Sequence, residues 1–212
     1  MVNIETELET LNTLLLRMCD AVIVNINEAM DFYLGKSKVE SINDDLIDQY
    51  ERMVEEMCIN IMLKERLFAR DLKETTGILK LVSDLERIGD HAEDILRFAK
   101  KLKPYKDNKN KEIESLLLFV VDMIKRSIKS YTDKNVELAN EVISDDDYVD
   151  SKYLEIINAL ASKKDGDAHY LQFAIYTTLV VKYLERIADH SVNIAEWVVY
   201  IKSGYYKDKM IV

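Results

Sequence analysis

The chain has 212 residues, 48% of them hydrophobic, and carries 39 acidic against 29 basic side chains for a formal charge of −10. That balance works against a nucleic-acid backbone as the main partner. Five glycines and one proline are too few to punctuate a β-rich fold, so long helices are expected.

The N-terminus, MVNIETELETL, lacks the basic segment and apolar run of a secretory signal. The longest unbroken apolar run, residues 116–121, falls far short of the ~20 residues a membrane span needs. A soluble, cytoplasmic chain without direct membrane insertion is the expectation. Cys19 and Cys58 lie inside apolar helical patterns and read as reduced core thiols.

In chain order, apolar residues recur at helical spacing over residues 4–34, 39–67 and 70–102, with Gly35 at the first break. The only proline, Pro104, stands in the polar, basic stretch AKKLKPYKDNKNKE and marks a hinge between two halves. Beyond it the periodicity predicts helices over residues 112–131, 135–162 and 168–202. KKDGDAH around Gly166 separates the last two, and Asp167 is the N-cap candidate.

Each half thus reads as helix, helix, helix, and offsets support a true repeat. LERIGDHAEDI at residues 85–95 returns 99 positions later as LERIADHSVNI. Asp44 and Asp48 return as Asp146 and Asp150, 102 positions on. The expected fold is all-α, two tandem three-helix bundles related by pseudo-twofold symmetry, the first over residues 1–103 and the second over 104–212.

The repeat holds four carboxylate pairs with i, i+4 spacing: Asp44 with Asp48, Glu86 with Asp90, Asp146 with Asp150, and Glu185 with Asp189. Setting these eight aside leaves 31 acids against 29 bases, so the pairs hold nearly all the acid excess. Residues four apart share a helix face. A solvated surface is the ordinary reading of such residues. Position argues otherwise for most of them. Glu86 follows Leu79 and Val82, Glu185 lies between Val181 and Val192, and Asp146 and Asp150 are spaced against Val142, Leu154 and Ile157. The stripe of Asp44 and Asp48 runs on through Glu51 and Glu55 like a wet face, and only the repeat places them opposite the stronger set.

If the second and third helices of each half meet, four carboxylates converge. Unit charges ~6 Å apart repel by roughly 3 kcal/mol at an effective dielectric near 20. Protonation, arginine or hard cations must offset this, and oxygen-only donors suit magnesium, manganese, calcium or iron. Arg87, Arg186, His91 and His190 each lie one position past a carboxylate. That is a turn of about 100° around the helix, so they read first as neighbours or salt-bridge partners of the donors, with a histidine as a direct donor the alternative. His169 has no repeat counterpart and reads as surface.

The doubled LERIGDHAEDI and LERIADHSVNIAE phrases, with ELETLNTLLLRM, NDDLIDQYERMVEEM, ARDLK and DDDYVDSKYLEII, resemble the PhoU family from about residue 5 to 200. The resemblance implies two three-helix bundles whose carboxylate motifs hold multinuclear metal clusters of iron or zinc, with magnesium or manganese as alternatives. Asp44, Asp48, Glu86 and Asp90 would form the first cluster and Asp146, Asp150, Glu185 and Asp189 the second. It further implies a homodimer without catalytic activity. Such a protein restrains phosphate uptake by acting on the ATPase of a phosphate ABC transporter or on a phosphate-sensing histidine kinase, at the inner face of the membrane through those partners.

Where family members often have a proline in the turn before the third helix, this chain reads KERLFARDLK. Two readings compete. A di-iron oxidoreductase would need Glu-x-x-His pairs, and the residues before each relevant His are Ile-Gly-Asp and Ile-Ala-Asp. A metal-free structural bundle would bond the carboxylates to Arg87 and Arg186 instead.

Overall fold

A computed structural model describes residues 4–64, 67–108, 111–163, 167–207 and 209–210. Helices α1 (Ile4–Leu34), α2 (Asp44–Met62) and α3 (Ala69–Leu102) form the first half. A 3-10 turn, Lys103–Asn108, carries Pro104. It leads to α4 (Lys111–Thr132), α5 (Val136–Ser144), α6 (Asp146–Ala161) and α7 (Ala168–Ser203).

Helix α1 buries Leu8, Leu11, Leu15, Met18, Val22, Ile26 and Ala29, a 3-4 spacing that lays one apolar seam along 31 residues. It stops at Gly35, whose φ of 76° is the left-handed conformation glycine adopts without strain. The Gly35 and Lys36 amides then return to the carbonyls of Phe32 and Asp31 at 3.0 and 2.8 Å, closing the last turn.

The second helix is shorter than its periodicity predicts. It starts at Asp44 rather than 39 and ends at Met62 rather than 67. After the left-handed turn, Ser37 Oγ accepts the Val39 amide at 3.1 Å, a local bond that competes with a helical start. Residues 65 and 66, at the end of the predicted segment, lie outside the described residues.

The predicted fifth helix is two. Asp145 interrupts it, with its amide shared between the carbonyls of Glu141 and Val142 at 3.2 Å. Its carboxylate takes a hydrogen bond from Arg126 on α4 at 2.5 Å. The break therefore comes from a tertiary contact and has no glycine or proline to announce it. Asp167 caps α7 as expected, accepting the Tyr170 amide at 2.8 Å; Gly166 lies outside the described residues.

Beyond α7, strands β1 (Tyr205–Tyr206) and β2 (Lys209–Met210) pair antiparallel, an element the helical pattern did not foresee. Tyr206 stacks on Trp197 with ring centroids 3.9 Å apart, holding β1 against α7.

Helices α1, α2 and α3 pack on one another, and α4, α5 and α6 all pack on α7. The largest interface joins the halves through α3 and α7. Gly77 meets Ile201, Asp84 meets His190 and Phe98 meets Tyr176, so these two helices run antiparallel. Each is lined on several sides by buried residues, and the missing side chain of Gly77 on α3 lets Ile201 of α7 approach closely. Among the described residues no helix is long and apolar enough to cross a membrane.

Candidate metal centre

Asp44 opens α2 and Asp48 follows one turn later, both against the middle of α3, where Glu86 and Asp90 stand. Gly89 makes room for this. A Cβ at that position would lie 3.0 Å from Asp44 Oδ1 and 2.8 Å from Ile47 Cδ1. The side chains share one electrostatic environment. Burial, then Asp90, Asp48, Glu93 and Glu86, push the Asp44 carboxyl up to about 6. Burial and Asp90 push Glu86 up to about 7, with Glu51 and Asp48 adding to the effect and Arg87 opposing it. The expected four thus come together, joined by Glu51 and Glu93. Helical spacing alone puts Glu51 on a wet face and carries no signal at Glu93.

The second half repeats the arrangement. Asp146 opens α6 and Asp150 follows, facing Glu185 and Asp189 on α7. Burial, Asp189, Asp150, Asp147 and Glu185 push the Asp146 carboxyl up to about 6. Burial, Glu185 and Asp150 raise Asp189, and Lys182 opposes them. Asp44 and Asp146 each leave Oδ1 buried and without a hydrogen-bond partner.

The quartets sit at the edges of the helix seams rather than deep between them. Asp150 and Asp189 are exposed and the others half-buried. The stripe expected to carry Asp150 inward does not hold either. Leu154 is 58% exposed, and α6 buries Val149 and Ile156 instead. Among the described residues no three His, Cys, Asp or Glu side chains converge tightly enough to hold an ion as they stand.

The two arginines differ. Arg87 pairs within its own helix with Glu86 at 3.3 Å and Asp90 at 3.0 Å rather than across helices, while Glu185 is paired by Lys182 at 2.5 Å. Arg186 has no ion pair among the described residues. The histidines face one another across α3 and α7 with ring centroids 5.6 Å apart. His190 Nδ1 is hydrogen-bonded to Asp84 Oδ1 at 2.8 Å, and Asn193 donates to the same oxygen at 3.0 Å. Burial, then His190 and Arg186, push His91 down to about 4, so its ring is neutral near pH 7. His169 is exposed as expected, with its ring 4.4 Å from that of Tyr105.

Comparison with known proteins matches the PhoU domain twice, over residues 15–99 and 113–198. The phosphate-specific transport system accessory protein PhoU homolog of Clostridium acetobutylicum is 34% identical over 210 residues, 96% of either chain. The Pseudomonas aeruginosa homolog of the same name is 30% identical, across 93% of this chain and 84% of its own. The crystal structure of PhoU from P. aeruginosa superposes with a TM-score of 0.85 at 28% identity, covering 96% of this chain and all of that one.

Proposed function

Because the chain belongs to the PhoU family, we propose that it is a cytoplasmic regulator of phosphate uptake that works by binding, without catalysis of its own. Each half, residues 1–103 and 104–212, carries one metal cluster. Asp44, Asp48, Glu86 and Asp90 hold the first, and Asp146, Asp150, Glu185 and Asp189 hold the second. Four carboxylates match the charge of about two divalent ions. Iron or zinc is the family's choice, and the all-oxygen donor set also admits manganese or magnesium. Bound metal would supply positive charge that locks the second and third helices of each half together.

One observation carries the metal reading: at equivalent positions in two halves, a carboxylate oxygen is buried with nothing bonded to it. Such a group is costly unless something completes it. A purely structural role would have both arginines neutralise the quartets, and Arg186 makes no ion pair among the described residues. The partner is the ATPase subunit of a phosphate ABC transporter, with a phosphate-sensing histidine kinase as the alternative, and the chain works as a homodimer.

Deleting the gene in its own host should raise phosphate uptake in phosphate-rich medium, and the parent chain should restore it. Unchanged uptake on deletion contradicts the regulatory reading. Full restoration by a chain with Asp44→Asn, Glu86→Gln, Asp146→Asn and Glu185→Gln contradicts the metal reading.

A further inference from the structure

Between the two quartets, the α3 and α7 seam opens into a cavity of about 540 Å³. Arg87, Lys182 and Arg186 bring positive charge to it, Leu179 and Tyr183 form an apolar side, and His91 lines its wall. The cations differ in what they already hold. Arg87 is tied to Asp90 and Lys182 to Glu185, whereas Arg186 has no ion pair among the described residues. Three carboxylates also line the cavity. Asp90 is held by Arg87 and Asp94 by Arg97, and Glu93 belongs to the field of the first quartet.

His91 is the second, independent observation. It is only 8% exposed, and neither ring nitrogen has a hydrogen-bond partner. The carboxylate it approaches, Asp94 Oδ2, lies 4.0 Å from Nδ1, beyond hydrogen-bonding range. Its repeat counterpart is satisfied: His190 has Asp84 at 2.8 Å. The position 99 residues after Asp84 is Tyr183, whose ring lies 5.3 Å from His91. The exchange of carboxylate for phenol removes the acceptor from one side of the pseudosymmetric seam and leaves that side with free donors.

An unpaired guanidinium, an ammonium and a buried imidazole without a hydrogen-bond partner, all bordering open space, are the groups that recognise an oxyanion. The cavity is much larger than a bare ion needs. Tyr183 stacks on Phe98 with centroids 5.9 Å apart and planes at 17°, extending a ring surface along the seam, and such surfaces accept flat organic groups. We propose that this cavity binds a phosphoryl-bearing anion, with Arg186 as its principal contact and Lys182 and an imidazole N–H of His91 as further donors. The source is either free inorganic phosphate or the phosphate of a nucleotide. The site goes beyond the metal reading and does not depend on it.

Equilibrium dialysis of the full chain in phosphate-free buffer with chelator tests this, using radiolabelled orthophosphate and AMP as separate probes. The expected result is one equivalent of at least one probe per chain. Orthophosphate alone identifies a free-anion site, and tighter AMP binding a nucleotide site. Arg186→Gln should weaken binding by about tenfold to a hundredfold, and His91→Phe should weaken it at unchanged helix content. Should His91→Phe fail to fold, the exposed Arg186 carries the test alone. No binding of either probe, or Arg186→Gln binding as tightly as the parent, overturns the proposal. With chelator present, either result leaves the metal reading untouched.

Discussion

Asp44 and Asp146 hold the same post in the two halves: each is the first residue of its helix, each buries an unbonded Oδ1, and each carboxyl is pushed up to about 6. The equivalence is reached by different local routes. A non-helical segment precedes Asp44, while α5 and a one-residue break precede Asp146. Two dissimilar approaches converge on one arrangement, a carboxylate at a helix N-terminus facing two more acids on the long helix across the seam. The helix dipole favours a negative charge there, yet burial and like charges outweigh it.

Substituting Asp44→Asn should therefore act in opposite directions with and without metal. In chelator it removes a crowded charge, and the melting temperature should stay level or rise by about 1–3 °C, in line with ~2–4 °C per kcal/mol for a chain of this size. Manganese at about a hundred times its dissociation constant should stabilise the parent by about 2.7 kcal/mol per site, and the variant should lose the share that belongs to the first quartet. Thermal denaturation with and without manganese reads both effects.

The raised carboxyls set a pH dependence. Asp44 and Asp146 titrate near 6 and Glu86 near 7 in the folded chain, against about 4 in the unfolded one. The folded state thus binds more protons across that window, so this contribution is fully present below pH ~4 and lost as pH rises through 6 to 7. Metal-free protein should lose stability between about pH 4 and 7, and manganese, which needs the ionised carboxylates, should reverse the slope. Urea titrations at stepped pH check the sign.

Two glycines on α3 should respond differently to a methyl group. At Gly77 a Cβ would fall 2.3 Å from Ile201 Cγ1 and 2.6 Å from Cδ1. Gly77→Ala should therefore cost about 1–3 kcal/mol from overpacking against α7. At Gly89 the neighbours are the tip of Ile47 and Asp44 Oδ1, and the second half already has Ala188 at the repeat position. Gly89→Ala should be nearly neutral in stability, because the helix gains about 1 kcal/mol in propensity, but it should displace Asp44 and weaken metal binding in the first half alone. Denaturation paired with metal titration separates the two.

Across the seam, Asp84→Ala should cost about 1–3 kcal/mol, since it strips the acceptor from both His190 and Asn193. His91→Phe should cost less, because His91 has no hydrogen bond to lose. Urea midpoints of the two variants, compared at equal pH, give the order.

The long helices were legible because apolar spacing and chain breaks agree. Residues 4–34 match α1 end to end, Gly35 terminates it, and Asp167 caps α7. The eight carboxylates were legible from repeat offsets, and the structure draws each group of four into one electrostatic neighbourhood. What escaped depends on contacts distant in sequence. The break at Asp145 follows from Arg126 on α4, and the partnering of His190 from Asp84, 106 residues earlier. Glu51 and Glu93 were missed because neither belongs to an i, i+4 pair that the repeat preserves; their positions recur as Tyr153 and Val192.

The most direct test is elemental analysis of protein purified without an affinity-tag metal, incubated with manganese, iron or zinc and freed of excess ion. Stoichiometric metal in the parent is expected, with about half lost in Glu86→Ala/Asp90→Ala and the other half in Glu185→Ala/Asp189→Ala. Metal at background for every ion, or full occupancy persisting with both pairs removed, would contradict the assignment of these carboxylates as two metal centres.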